Sequence, residues 1–201
     1  MEYLTHLQKD KKLSGILGGQ VHELKYHENI PLRLIASIMS QQLNTKVATI
    51  IYNRFLDLYK GKKPTARQIV DTPLETLRSI GLSNAKANYV KNVCWFFIEE
   101  KITDARLDKM SNEEVIKYLS KIKGVGQWTV EMILMFTLGR EDVFAVDDLG
   151  IQNSIKKLYT LDNLDRKALK EEMLRISQNW SPYRTYACRY LWGWKDDAPK
   201  I

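Results

Sequence analysis

The chain has 201 residues, 44% hydrophobic and 27% charged, with a formal net charge of +7. That length can bury the core of one large domain or of two small lobes, and the basic balance favours a polyanionic partner, most commonly nucleic acid. Two cysteines exclude a disulfide framework, a four-cysteine iron–sulfur cluster and a four-cysteine zinc site.

The N-terminal MEYLTHLQKDKK has no apolar core of the signal-peptide kind. The longest apolar runs, Met132 to Phe136 and Val143 to Val146, are far too short to cross a bilayer. A protein that stays inside the cell, away from membranes, is the expectation. Apolar residues at three- and four-residue spacing then predict helices over Leu32–Met39, Val47–Tyr59 and Ala85–Ile98. The same spacing continues over Val115–Leu119, Val130–Leu138, Ile151–Tyr159 and Leu169–Ile176. Breakers separate them at Gly18-Gly19, Pro31, Gly61 to Pro64, Pro73, Gly81, Gly124 to Gly126, Gly139 and Pro182. Asn44 or Thr45, Ser83, Ser111 (with Glu114 completing a capping box) and Asp147 or Asp148 are the expected N-caps.

Val143 to Val146 is strand-like but has no partner of similar character. The fold class is therefore all-α, with roughly ten short helices and no sheet. One domain over 1–201 is expected, built as two helical lobes. A central lobe covers about 30–140, including the hairpin at 122–126. The second takes the N-terminal segment and about 147–201, with a break near 140–148 and a cleft between the lobes as the expected site.

Four elements carry chemistry. Ser40-Gln41-Gln42-Leu43-Asn44 places consecutive amides on a loop between helices, suited to contact with bases or equally to a polar surface turn. Ile122-Lys123-Gly124-Val125-Gly126 joins two predicted helices, Val115 to Ser120 and Gln127 to Leu138. Glycine amides at the start of a helix can converge on a phosphate oxygen, and Lys123 adds charge; the plainer reading is an ordinary helix–helix turn. Asp147 and Asp148 precede the next helix, so at least one is expected to cap it. A carboxylate at a helix end is favoured in its ionised form, where it can stabilise a cationic sugar transition state and orient a water. Last comes an aromatic run, Trp180-Ser181-Pro182-Tyr183-Arg184 continuing to Trp194, most of it expected in the core, while Trp128 stands apart beside the hairpin, able to stack on a base.

Together these segments resemble the helix-hairpin-helix (HhH-GPD) DNA glycosylase superfamily, and within it the DNA-3-methyladenine glycosylase II branch, which removes alkylated bases. The matching pieces are S-Q-Q-L at 40–43, G-L-S-N-A-K-A at 81–87, I-K-G-V-G-Q-W-T at 122–129, D-V-F-A-V-D-D-L-G-I at 142–151 and W-S-P-Y-R at 180–184. They stand in the family's order and span most of the chain.

The resemblance implies that Asp148 is the catalytic carboxylate, with Asp147 structural. It implies that Gly124, Val125 and Gly126 of the hairpin, with Lys123 and Thr129, contact DNA. Gln42, with Leu43 beside it, falls where a wedge fills the gap left by an extruded base. Trp128, Tyr183 and Met132 fall at base-pocket positions, and the backbone carbonyls of Ile122 and Val125 where relatives hold a structural alkali ion. Bifunctional relatives carry a lysine at the position of Trp128, so no lyase activity is implied. Some alkylation glycosylases carry a tyrosine where this chain has Met132, and some bacterial members an N-terminal sheet domain for which the chain leaves no room. Neither a cofactor nor a catalytic metal is implied. The implied activity is that of a monomeric, monofunctional glycosylase on double-stranded DNA, excising 3-methyladenine- or 7-methylguanine-type purines. The alternatives are a non-catalytic helix-hairpin-helix DNA-binding module and a glycosylase for other damaged or deaminated bases.

Overall fold

The computed structural model describes residues 1–18 and 23–194; residues 19–22, with the expected breaker Gly19, and the tail from 195 lie outside the described residues. The chain falls into two compact units, a central one over His27–Ile133 and a terminal one formed by the segment up to Tyr26 with the chain from Leu134 onward.

Two short N-terminal helices, α1 (Glu2–Leu7) and α2 (Lys11–Ser14), precede the helices of the central unit. The latter are α3 (Ile30–Ser40), α4 (Thr45–Asp57), α5 (Ala66–Asp71), α6 (Leu74–Ser79), α7 (Asn84–Glu99), α8 (Asp104–Asp108), α9 (Asn112–Leu119) and the start of α10 (Gln127–Phe136). The sixteen-residue α7 is the central helix, packed against α3, α5 and α6, and it buries Ala87, Val90, Val93, Cys94 and Phe97. Caps fix where these helices begin. Asn44 accepts from the Val47 amide and Ser83 from the Lys86 amide, while Ser111 and Glu114 form a reciprocal capping box. Each such cap is worth about 1 kcal/mol. A second box, Thr65 with Gln68, starts α5.

The terminal unit contains α1, α2, α11 (Leu149–Tyr159), α12 (Arg166–Gln178) and α13 (Arg184–Trp194). Its core gathers Leu7, Leu13, Ile151, Ile155, Met173, Trp180 and Trp192. Asp10 ties this core together, accepting from Tyr159 Oη at 2.5 Å and Trp180 Nε1 at 3.0 Å. The strand-like run Val143–Val146 is buried but pairs with no strand, and no strand occurs among the described residues. Its polar atoms find partners on helices instead: the Val143 amide donates to Thr185 Oγ1 at 3.1 Å, and Val146 O accepts from Gln152 Nε2 at 3.0 Å.

The seven helices read from periodicity are all present, among thirteen helical segments in the described residues. Helix α10 stops at Phe136, two residues short of the expected Leu138. Both cysteines are buried free thiols, and burial pushes Cys94 up to about 12. No helix of the described residues is long and apolar enough to cross a membrane.

Candidate functional site

In the central unit, α9 ends at Leu119 and the chain turns through Gly124 to Gly126 into α10. Ile122 and Val125 are buried beneath the turn, closed by a hydrogen bond from the Val125 amide to Ile122 O at 2.9 Å. Asn92 Nδ2, on α7, donates to Lys123 O at 3.1 Å. The two glycines have different causes. Gly124 lies at φ +103°, and a Cβ there would stand 2.2 Å from Cγ of Tyr89. The fold itself therefore demands glycine at 124. Gly126 has no positive φ, and a Cβ there would meet nothing within 4 Å. Packing within the chain does not explain glycine at 126. It sits at the start of a ten-residue helix, whose first amides have no acceptor within the helix and whose dipole favours an anion.

Along α10, Trp128 is half-buried. Thr129, read from sequence as a DNA contact, is only 2% exposed, and its hydroxyl faces Gln41 Nε2 at 3.5 Å. Its backbone amide lies in the first turn of α10. Met132 is 0% exposed. The hairpin carbonyls of Ile122 and Val125 are neutral oxygen donors of the kind that suits an alkali ion, and the Val125 hydrogen bond leaves Ile122 O a second lone pair. Among the described residues no group of three His, Cys, Asp or Glu side chains could hold a metal.

The loop between α3 and α4 belongs to the same unit. Gln42 adopts φ +60° and is exposed, and Leu43 beside it is 37% exposed, unusual for leucine. Behind this tip, Lys86 Nζ donates to Met39 O at 3.0 Å and to Gln41 O at 2.7 Å.

In the terminal unit the aspartate pair divides its roles. Asp147 is exposed and forms an ion pair with Lys170 at 2.7 Å. Asp148 is 8% exposed and caps α11. Its Oδ1 accepts from the Ile151 amide at 2.9 Å and from Trp192 Nε1 at 2.8 Å. Gln152 Nε2 braces the approach by donating to Val146 O at 3.0 Å. This is a carboxylate held in place by two neutral donors on one oxygen.

Tyr183 is half-buried, edge-on to the rings of Tyr3, His6 and Tyr186 at 6.5, 5.5 and 6.2 Å. Its segment is clamped by Asp142, which accepts from Arg184 Nε at 2.6 Å, Arg184 Nη2 at 2.9 Å and Ser181 Oγ at 2.8 Å. Burial raises the Asp142 carboxyl, but the hydrogen bonds and charge of Arg184, with the Ser181 hydroxyl, outweigh it and hold the group below the ordinary carboxylate value. Sequence reading did not identify this clamp, the Trp192 indole on Asp148 or the Lys86 bonds. Asp142, Arg184 and Lys86 all lie inside the quoted motifs, yet pairing across such separations leaves no periodic trace.

Comparison with known proteins follows the same residues. The family model for HhH-GPD superfamily base excision DNA repair proteins matches residues 35–182. DNA-3-methyladenine glycosylase 1 of Schizosaccharomyces pombe is 40% identical over 185 residues, covering 90% of this chain and 80% of that protein. The structure of a Schizosaccharomyces pombe 3-methyladenine DNA glycosylase in complex with abasic DNA aligns with a TM-score of 0.84 at 34% identity, over 100% of both chains. A DNA-3-methyladenine glycosidase from Bacillus halodurans aligns with a TM-score of 0.82 at 35% identity, over 96% of this chain and 88% of the other.

Proposed function

The chain belongs to the HhH-GPD superfamily of base excision DNA repair proteins, and from that premise we propose that it is a monofunctional DNA glycosylase that excises alkylated purines and leaves an abasic site. Its partner is duplex DNA carrying bases of the 3-methyladenine or 7-methylguanine type, and it acts as a monomer.

Alkylation at N3 or N7 makes the purine cationic, which weakens the N-glycosidic bond and leaves little need for a general acid. The protein must therefore extrude the nucleotide, hold the base and stabilise the sugar. Extrusion costs roughly a few kcal/mol, offset in part by a wedge at Gln42 and Leu43 that occupies the gap. The hairpin at Lys123 to Gly126 holds the backbone through amides and charge. Trp128 and Tyr183 present aromatic faces to the base, and a cationic base gains about 0.5–2 kcal/mol from such contact.

Asp148 is the catalytic carboxylate. As the glycosidic bond breaks, its electrons leave with the purine and C1′ takes on positive charge. The carboxylate stabilises that charge and orients a water, whose oxygen bonds to C1′ and whose excess proton passes to solvent, giving free base and abasic deoxyribose. The observation that carries this reading is the buried Asp148 carboxylate fixed by the Ile151 amide and the Trp192 indole. Electrostatic catalysis requires a charge that need not reorganise as the reaction proceeds. Trp128 has no amine, so no Schiff base forms and the DNA strand stays intact. An alkali ion at the carbonyls of Ile122 and Val125 would stiffen the hairpin and takes part in no step.

Incubation with methylated DNA, followed by chromatographic identification of released bases, tests the proposal. Release of 3-methyladenine or 7-methylguanine with alkali-labile but otherwise uncut strands is expected. DNA binding with no base released would favour the non-catalytic module instead.

A further inference from the structure

We propose that Lys86 is the positioning residue of the Gln42–Leu43 wedge, and that α7 fixes this wedge relative to the hairpin. The inference rests on the reading of Gln42 and Leu43 as the element that fills the extruded base's place.

Three residues on one side of α7 reach the two elements. Lys86 Nζ donates to Met39 O and Gln41 O, at 3.0 and 2.7 Å, where α3 ends and the loop begins. Tyr89 packs so closely over Gly124 that no Cβ fits there, and Asn92 Nδ2 holds Lys123 O at 3.1 Å. Residues 86, 89 and 92 succeed one another every three positions, about 4.5 Å apart along the helix axis. One rigid helix therefore grips the loop at one point and the hairpin at the next two.

The chemistry at Lys86 suits this task. The last carbonyls of a helix carry partial negative charge and lack intrahelical donors, so an ammonium between two of them both satisfies and charge-stabilises that end. Beyond it Gln42 sits at φ +60°, a conformation that a residue with a side chain keeps only where its surroundings impose it. Gln41 Nε2 to Thr129 Oγ1, at 3.5 Å, is a weaker second tie to the first turn of α10. Lys86 is half-buried, and burial lowers its ammonium from the ordinary lysine value, which marks it as a cation drawn inward rather than one extended toward solvent phosphates. A wedge acts by entering the duplex at one defined place relative to the gripped phosphates, and a misplacement of about 1 Å can cost about 100-fold in rate.

The test uses Lys86→Gln and Lys86→Arg in duplexes carrying one 7-methylguanine with 2-aminopurine beside it, whose fluorescence reports unstacking. In Lys86→Gln, single-turnover excision should fall about 10- to 100-fold and the fluorescence rise should shrink. Affinity for undamaged duplex should stay at the wild-type level. Because extrusion is cheaper at a mispair, the excision defect should narrow when the lesion faces a mismatched base. Lys86→Arg, which can still donate to both carbonyls, should recover most of the rate. Wild-type excision and fluorescence in Lys86→Gln would overturn the proposal. So would a loss matched by weaker binding to undamaged duplex, which would make Lys86 a phosphate contact, or a defect of equal size at the mispair. Should the wild-type protein release no base, the glycosylase reading fails, while the fluorescence response with and without the substitution still decides the role of Lys86.

Discussion

The indole N–H of Trp192 and the backbone amide of Ile151 converge on the same oxygen of Asp148, at 2.8 and 2.9 Å. Two donors on one oxygen fix the carboxylate's plane as well as its place. Trp192 in turn rests against Phe136, ring centroids 5.7 Å apart, so its orientation is set by packing. Asp148→Asn keeps the size of the side chain and an oxygen able to cap α11, so the fold and DNA binding should survive. Excision should drop about 100- to 1,000-fold, the typical loss for a well-placed electrostatic group. Full single-turnover activity in this variant would remove Asp148 from the mechanism.

Trp192→Phe tests the indole bond separately, because it keeps an aromatic ring and deletes the donor that reaches Asp148, along with part of a buried indole. Excision should slow about 10-fold, in kcat rather than KM, equivalent to roughly 1.4 kcal/mol. Added to Asp148→Asn it should slow the reaction no further, since both act through one group. Additive losses would show that Trp192 acts by some other route.

The hairpin glycines should separate stability from binding. Gly124→Ala forces a side chain into φ +103° and against Tyr89, so a loss of about 2–4 kcal/mol and a clear fall in Tm are expected. Gly126→Ala meets neither obstacle and should leave Tm within about a degree or two. It should instead weaken DNA binding, as expected if the hairpin backbone at Gly126 meets a phosphate. Thermal melts paired with binding titrations at two salt concentrations check both arms. Normal binding by Gly126→Ala would leave the hairpin as a structural turn.

These contrasts mark what the residues reveal in order and what they do not. Helices announced themselves through apolar spacing, and their starts through Asn44, Ser83 and Ser111, because cap and period are local signals. Short segments such as α1, α2 and α8 escape periodicity, having too few turns to display a face. Val143 to Val146 looks like a strand because it is buried, but its hydrogen-bonding partners include Thr185 of α13 and Gln152 of α11 rather than a neighbouring strand. At the site, the motif order pointed to Asp148 and the hairpin, and the structure shows Asp148 as the buried cap of α11 and the hairpin as the turn into α10. Which glycine the fold requires, and which side chains brace Asp148 and Tyr183, depend on contacts between segments that no spacing records.

Acid should unfold the protein through two carboxylates in the terminal unit. Burial alone would raise Asp10 and Asp142, but hydrogen bonds outweigh it in both: from Tyr159 and Trp180 to Asp10, and from Arg184 and Ser181 to Asp142. Each folded value thus lies below the unfolded one, near 3.8. Such groups contribute stability that is fully present above the unfolded value and is lost as pH falls through the folded one. Asp10→Asn and Asp142→Asn should each lower Tm at neutral pH and show a shallower decline below about pH 4, converging there on the wild type. Parallel curves at all pH values would mean that the charges contribute nothing specific.

Met132 offers the sharpest test of how the base is held. Some alkylation glycosylases carry tyrosine at this position, which would suggest that a tyrosine here adds a stacking face. In this chain Met132 is 0% exposed, on the buried side of α10. A tyrosine at 132 would bring both extra volume and a hydroxyl needing a partner into a filled core, at a cost of about 1–3 kcal/mol. Met132→Tyr should therefore lower Tm by several degrees, about 2–4 °C per kcal/mol at this chain length, without speeding the release of 7-methylguanine. Met132→Leu, close in volume, should be nearly neutral in both melts and excision. Faster excision by the tyrosine variant with an unchanged Tm would instead show that the side chain at 132 swings out to meet the base, and that aromatic surface limits the choice of substrate.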